Sequence, residues 1–179
     1  MWKKLSSKIL FTHPRLVVEE DEVEISPDRT IQYLRYGYGG DGVVVVAQND
    51  KHEILFIKES SYVINKRLLQ LPMGKIEEGE SAEIAANREL QEETGLRAKA
   101  IVQKGSYYQN HRRSTNKGMV LLASDLEASE LQADEEEQDI EKVWLPVRQV
   151  ASEIANGNII DADTLSSLLI SGICTHTED

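Results

Sequence analysis

One cysteine, Cys174, stands in the whole sequence, so no disulfide can form within the chain. A lone thiol suits a reducing compartment, and the expected location is the cytoplasm. Long apolar runs are also missing. None approaches the roughly 20 residues that a membrane helix needs, so no membrane partner is expected. The opening stretch "MWKKLSSKILFTHPRL" is basic but holds no sustained apolar segment and no small-residue cleavage site, so no signal peptide is expected. Positive charge is scarce: 20 Lys and Arg face 31 Asp and Glu, for a net charge of −11. A surface that acidic repels phosphate backbones and excludes broad nucleic-acid binding. It leaves room for a small phosphate ligand, because a bound metal inverts the local field. What the chain does have is length and apolar content. Its 179 residues, 40% of them hydrophobic, are enough for one domain with its own core.

The pattern along the chain is strands, a helix, strands, then helices. "RLVVEEDEVEI" and "TIQYLRY" read as strands around the turn "SPDR". "GYGGDG" follows, with Gly37, Gly39 and Gly42 spaced as in a dinucleotide fingerprint. That fingerprint must follow a strand and open a helix; here a strand comes next, so a turn is the better reading. "VVVVA" reads as a strand buried on both faces, and "QNDKH" then "EILFIKE" suggest that it forms a hairpin with the next. Beyond residue 96, "AKAIVQKGSYY", "GMVLLASDL" and "KVWLPV" read as strands, with "LQADEEEQDIE" a charged loop. "VRQVASEIANG" and "DADTLSSLLISGI" have helical apolar spacing, and the tail "CTHTED" reads as frayed. No internal repeat or linker is visible. The fold class is α+β, a mixed sheet with helices on its faces.

The stretch from Gly74 to Leu96, "GKIEEGESAEIAANRELQEETGL", packs seven glutamates into 23 residues. "KIEE" between Gly74 and Gly79 predicts a loop. Ser81 is placed to cap a helix that Gly95 ends, with Ile84 and Leu90 as its apolar positions. On that helix Glu89, Glu92 and Glu93 fall at i, i+3 and i+4 and share a face, and Arg88 is four residues before Glu92. Like charges so placed destabilise a bare helix. In a cleft the cost is offset by cations, and Mg²⁺ favours such hard oxygen ligands.

The same residues resemble the signature of the Nudix hydrolases, G-x5-E-x7-R-E-U-x-E-E-x-G-U with U bulky and apolar. Gly74, Glu80, Arg88, Glu89, Leu90, Glu92, Glu93, Gly95 and Leu96 occupy every fixed position. A chance match is on the order of one in a million. The approach "LPMGKIEEGES", the start "WKKLSSK" and the segments "VWLPV" and "GNIIDADTLSSLLI" are similar to the ADP-ribose pyrophosphatases and related ADP-sugar hydrolases. The resemblance implies a Nudix-type α/β/α sandwich over residues 37–179, preceded by a strand-rich segment, 1–36, used for dimerisation. It implies a homodimer that exchanges these strands, and Mg²⁺-dependent hydrolysis (Mn²⁺ can substitute). The substrate would be a nucleoside diphosphate linked to X, such as ADP-ribose, an ADP-sugar or a related ADP compound. It also implies roles. Glu89, Glu92 and Glu93, with the Met73 carbonyl, would hold metal. Arg88 would orient a carboxylate, Gly74 would let the loop approach the metal, and Glu80 would brace the loop.

Subfamily members take a base from an acidic loop after the box. The counterpart here is "ADEEEQD", with Glu136 or Glu137 first and Glu135 behind them; Glu92 is the other candidate. Substrate contacts fall to Arg112, Arg113 and Tyr62, and Asn110 and His111 share the loop of the two arginines. Some positions depart from the subfamily. Ser60 and Ser61 replace a Tyr-Arg pair, Gln70 replaces an acidic residue, and "YYQNHRRSTNKG" lacks a proline. Selectivity for ADP-ribose itself is therefore expected to be weak, and another dinucleotide or nucleotide sugar is an alternative substrate. Two further alternatives are a nucleotide sensor without turnover and an acidic interaction module. The sensor has no explanation for an intact carboxylate set, and the module has none for Arg88 and Gly95.

Overall fold

The computed structural model of the chain describes residues 1–130 and 139–174. They fall into two compact units, Met1–Asp41 with Tyr108–Lys117, and Gly42–Tyr107 with the residues from Gly118 onward.

The first unit holds strands β1 (Lys3–His13), β2 (Leu16–Ser26) and β3 (Arg29–Gly37) in an antiparallel meander. All eleven residues of β1 are exposed, apolar ones included. In β2 the centre buries Asp21 and Val23. Burial works against the Asp21 charge, but the Ser7 hydroxyl and the Arg35 guanidinium outweigh it and hold the carboxyl below its usual range. Arg35 Nε lies 2.7 Å from Asp21 and its Nη1 lies 2.5 Å from Glu19. The turn "GYGGDG" is fixed by Asn116, whose side chain donates to the Gly40 carbonyl and accepts from the Tyr38 amide. Gly39 (φ 80°) and Gly40 (φ 146°) adopt backbone angles that side chains disfavour, which is why the turn needs them. Strand β4 follows directly, as the context argument against a dinucleotide fingerprint requires.

The second unit contains β4 (Gly42–Ala47), β5 (Glu53–Ser61), β6 (Lys66–Gln70), β7 (Met73–Lys75), α1 (Ala82–Thr94), β8 (Leu96–Tyr108), β9 (Lys117–Ala128), β10 (Glu141–Pro146), α2 (Val147–Ala155) and α3 (Ala162–Ser171). A four-stranded sheet runs in the order β7-β4-β9-β8. It is mixed, because β4 is antiparallel to β7 and parallel to β9. An antiparallel sheet β10-β5-β6 completes the set. The expected β4–β5 hairpin is therefore corrected. Its turn closes, with a single bridge between Gln48 and Ile54, but β4 spends its edges on β7 and β9, and β5 on β10 and β6.

Strand β4 shows why the layers form. Val43, Val45 and Ala47 pack with Ala85, Ala86 and Leu90 of α1. Val44 and Val46 pack with Val150 of α2 and with Ile159 and Leu168 on the other side. Alternate residues of a strand point to opposite faces, so a run of valines serves helices on both. Three expectations need correction. Ile84 is 60% exposed, because the buried stripe of α1 runs through Ala85, Ala86, Glu89, Leu90 and Glu93 instead. Cys174 is not part of a frayed tail: it packs against the second core, where burial pushes its thiol pKa up. Residues 175–179 lie outside the described residues. The predicted loop "KIEE" begins later than expected, since β7 pairs Gly74 and Lys75 with β4.

Candidate active site

Local signals set the site helix. The Ser81 hydroxyl accepts from the Ile84 amide at 3.3 Å, and Gly95 closes α1 in the left-handed region (φ 65°), donating to the Gln91 carbonyl. Leu96, just past this cap, packs against the core that holds Leu90. Lys142 donates to the Thr94 carbonyl at 2.8 Å, placing a cation at the negative end of the helix. Asn87, a weak helix former in mid-helix, is explained by two bonds. Its amide donates to the Ala98 carbonyl at 3.0 Å and accepts from the Ala98 amide at 2.9 Å, fastening α1 to β8.

Arg88 gathers the acidic residues. It makes a forked pair with Glu80, from Nε to Oε1 at 2.9 Å and from Nη2 to Oε2 at 3.0 Å. Its Nη1 donates to Glu89 Oε1 at 2.8 Å and to Glu92 Oε2 at 2.9 Å. Nη2 also donates to the Lys75 carbonyl at 2.8 Å. One guanidinium is thus shared among three carboxylates. The bond to Glu80 is the main reason that the Arg88 pKa lies above its usual value, and the bond to Arg88 holds Glu80 below its own. Glu80 also accepts from the Glu77 amide at 3.0 Å, which ties the loop before the helix to the same network.

Glu89 and Glu93 are only 6% and 7% exposed. Both face β7. The Met73 amide donates to Glu93 Oε2 at 3.2 Å. A Cβ built on Gly74 would lie 2.0 Å from Glu89 Cδ, so only glycine lets the strand pass this close to that carboxylate. Glu89 and Glu93 of α1 therefore both lie against the main chain of β7. Among the described residues no three His, Cys, Asp or Glu side chains converge on a single point. In this conformation Glu89 and Glu92 are turned to Arg88, and Glu93 to the Met73 amide. The donor set itself consists of hard carboxylate oxygens on one helix face beside the β7 main chain, which fits a divalent cation.

The other predicted residues are placed differently. Tyr62 is 97% exposed, in the turn between β5 and β6. Arg112 and Arg113 belong to the first unit. There the Arg112 carbonyl accepts from the Tyr33 hydroxyl, and Arg113 donates to the Leu34 carbonyl at 2.9 Å while lying over the Tyr33 ring. Asn110 donates to the Tyr36 hydroxyl at 2.8 Å. Glu135, Glu136 and Glu137 lie outside the described residues. Ser60 donates to Asp139 at 2.5 Å, and Gln70 donates to Glu59 at 2.5 Å. No helix among the described residues is long and apolar enough to cross a membrane.

The NUDIX domain family matches residues 40–168, well over half of the chain. An ADP-ribose pyrophosphatase of Bacillus subtilis (strain 168) is 28% identical over 123 residues, which is 68% of this chain and 66% of that protein. An ADP-ribose pyrophosphatase of Mycobacterium tuberculosis (strain ATCC 25618 / H37Rv) is 26% identical over 170 residues, 94% of this chain and 82% of that protein. A solved structure described as "Crystal structure of ADP compounds hydrolase" shares the fold, with a TM-score of 0.86 over 95% of this chain and 91% of that one, at 23% identity. With this α+β fold and a complete signature running from Gly74 of β7 through α1 to Leu96, the chain belongs to the Nudix family of hydrolases acting on pyrophosphate bonds.

Proposed function

We propose that the chain hydrolyses a nucleoside diphosphate linked to a second moiety. ADP-linked compounds such as ADP-ribose are the favoured class, and the products are a nucleoside monophosphate and a phosphorylated remainder. The observation that carries this reading is the meeting of Glu89 and Glu93 with the β7 main chain, with Glu92 tied to Glu89 through Arg88. The names of the two bacterial relatives support the ADP-linked class. Glu89, Glu92, Glu93 and the Met73 carbonyl would hold Mg²⁺, with Mn²⁺ able to substitute. A divalent ion there supplies charge neutralisation of the pyrophosphate and a more acidic bound water. Arg88 orients Glu89 and Glu92, and Glu80 anchors Arg88. Ser60, Ser61 and Gln70 offer no cationic contact to the substrate. An absent charge-assisted bond of about 1.5–3 kcal/mol is worth more than tenfold in affinity, so selectivity for ADP-ribose is expected to be weak.

A screen of nucleoside diphosphate derivatives with product identification tests the reading. Activity is expected with Mg²⁺ or Mn²⁺ and none with excess chelator. A preference above a hundredfold for ADP-ribose would overturn the weak-selectivity argument. Cleavage of nucleoside triphosphates alone would overturn the substrate class.

The reading includes a homodimer built through the first unit. Trp2, Leu5, Ile9, Leu10 and Phe11 are all exposed on or beside β1, so this strand covers no core of its own. Exposed apolar surface of this extent marks an interaction site, and a second copy of β1–β3 is the occupant proposed. Light scattering at micromolar concentration is expected to give twice the chain mass. A fully active monomer would refute it.

A further inference from the structure

Residues 71–73, "LPM", lead into the carboxylate site, and Pro72 has no amide proton. The segment therefore has two amide donors, and both are spent on side chains. Leu71 N donates to Thr164 Oγ1 at 3.0 Å, and Met73 N donates to Glu93 Oε2 at 3.2 Å. Between them the Pro72 carbonyl accepts from Val45 N at 2.8 Å. Three elements, α3, β4 and α1, thus hold three consecutive residues. The proline ring also fixes one of the torsions that separate Leu71 from Met73, so holding the Leu71 amide constrains where the Met73 main chain can point.

Thr164 is well suited to this task. Its own amide is locked at the start of α3, donating to the capping Asp161 carboxylate at 2.7 Å, which leaves the hydroxyl to face Leu71. Thr164 and Leu71 are both fully buried. Water cannot replace the hydroxyl there, and without it the Leu71 amide would be an orphaned donor in an apolar core. We propose that Thr164, 93 residues from Leu71 in sequence, is a positioning residue for the Met73 main chain and Glu93. It presets the geometry in which they meet a divalent cation. The inference rests on the reading of the α1 face as the metal-bearing site.

The test compares Thr164→Val, which keeps the shape and removes the acceptor, with Thr164→Ser, which keeps the acceptor. Two measurements are made on metal-free protein: Mn²⁺ affinity by electron paramagnetic resonance, and amide exchange at Leu71 and Met73 by NMR. Thr164→Val is expected to weaken Mn²⁺ binding about tenfold, equivalent to about 1.4 kcal/mol, and to speed exchange at both amides. Thr164→Ser is expected to restore both. Faster exchange at Leu71 alone, with wild-type Mn²⁺ affinity, would show a merely structural bond and overturn the inference. Glu93→Gln is the control for the underlying reading. If it binds Mn²⁺ like the wild type, the metal site is wrong, and the Thr164 inference is then decided on Met73 exchange alone. If Thr164→Val does not fold, the wild type decides: saturating Mg²⁺, which leaves the amide signals sharp, is expected to slow Leu71 exchange relative to other core amides, and no slowing overturns the inference.

Discussion

Replacing Gly74 by alanine is expected to lower kcat/KM about a hundredfold, equivalent to about 2.7 kcal/mol of transition-state stabilisation, with a much smaller effect on stability. The new Cβ would lie 2.0 Å from both Cδ and Oε1 of Glu89 and 2.3 Å from Oε2. No such overlap is tolerated, so something must move. Gly74 does not adopt a left-handed backbone conformation, so alanine brings no torsional strain of its own. Strand β7 is tied to β4 by its register and to Glu93 through Met73. The cheapest response is for the Glu89 carboxylate to swing away. That breaks its 2.8 Å bond to Arg88 and removes it from the face shared with Glu92 and Glu93. The fold survives a turned side chain, while the proposed metal site would lose a ligand. Steady-state kinetics beside a thermal melt will separate the two. Activity within threefold of the wild type, at an unchanged melting temperature, would mean that Glu89 is not needed where it stands.

Much of this was legible because its signals are local. Ser81, Gly95 and the i, i+3, i+4 spacing lie within one helix, and each acts over a few residues. The two-sided burial of "VVVVA" was legible for the same reason, since an unbroken apolar strand has nowhere to face water. What the sequence left open depends on distant partners. The β4–β5 turn reads as a hairpin, yet which strands pair with β4 is decided by β7 and β9, and nothing in "QNDKH" reports that. Ile84 looks like a core residue by type, but its position on α1 turns it outward while smaller alanines take the packed stripe against β4. The forked Glu80–Arg88 pair spans a loop and two turns of helix, so the family resemblance implies a brace there but no local spacing reports its geometry. The Thr164–Leu71 bond joins segments 93 residues apart and has no sequence signal at all. The contacts of Arg113 with a tyrosine ring and a carbonyl of β3 likewise join distant segments of the first unit, and no local spacing reports them.

Glu92→Gln and Glu93→Gln are each expected to reduce kcat by a hundredfold or more, and both variants are expected to fold. An amide keeps the size of the carboxylate and loses its charge, so the change falls on charge stabilisation in the transition state. At position 93 the glutamine oxygen can still accept from the Met73 amide, so the contact at 3.2 Å need not be lost. At position 92 Arg88 gives up one of its pairs but keeps Glu80 and Glu89, and the side chain is partly solvated. A metal titration then separates two causes. If a variant recovers most of its rate at high Mg²⁺, the lost charge acted on metal affinity. If the rate stays low at saturation, it acted on the transition state. Full activity in both variants, with melting temperatures unchanged, would remove α1 from the chemistry and leave its acidic face without a catalytic explanation.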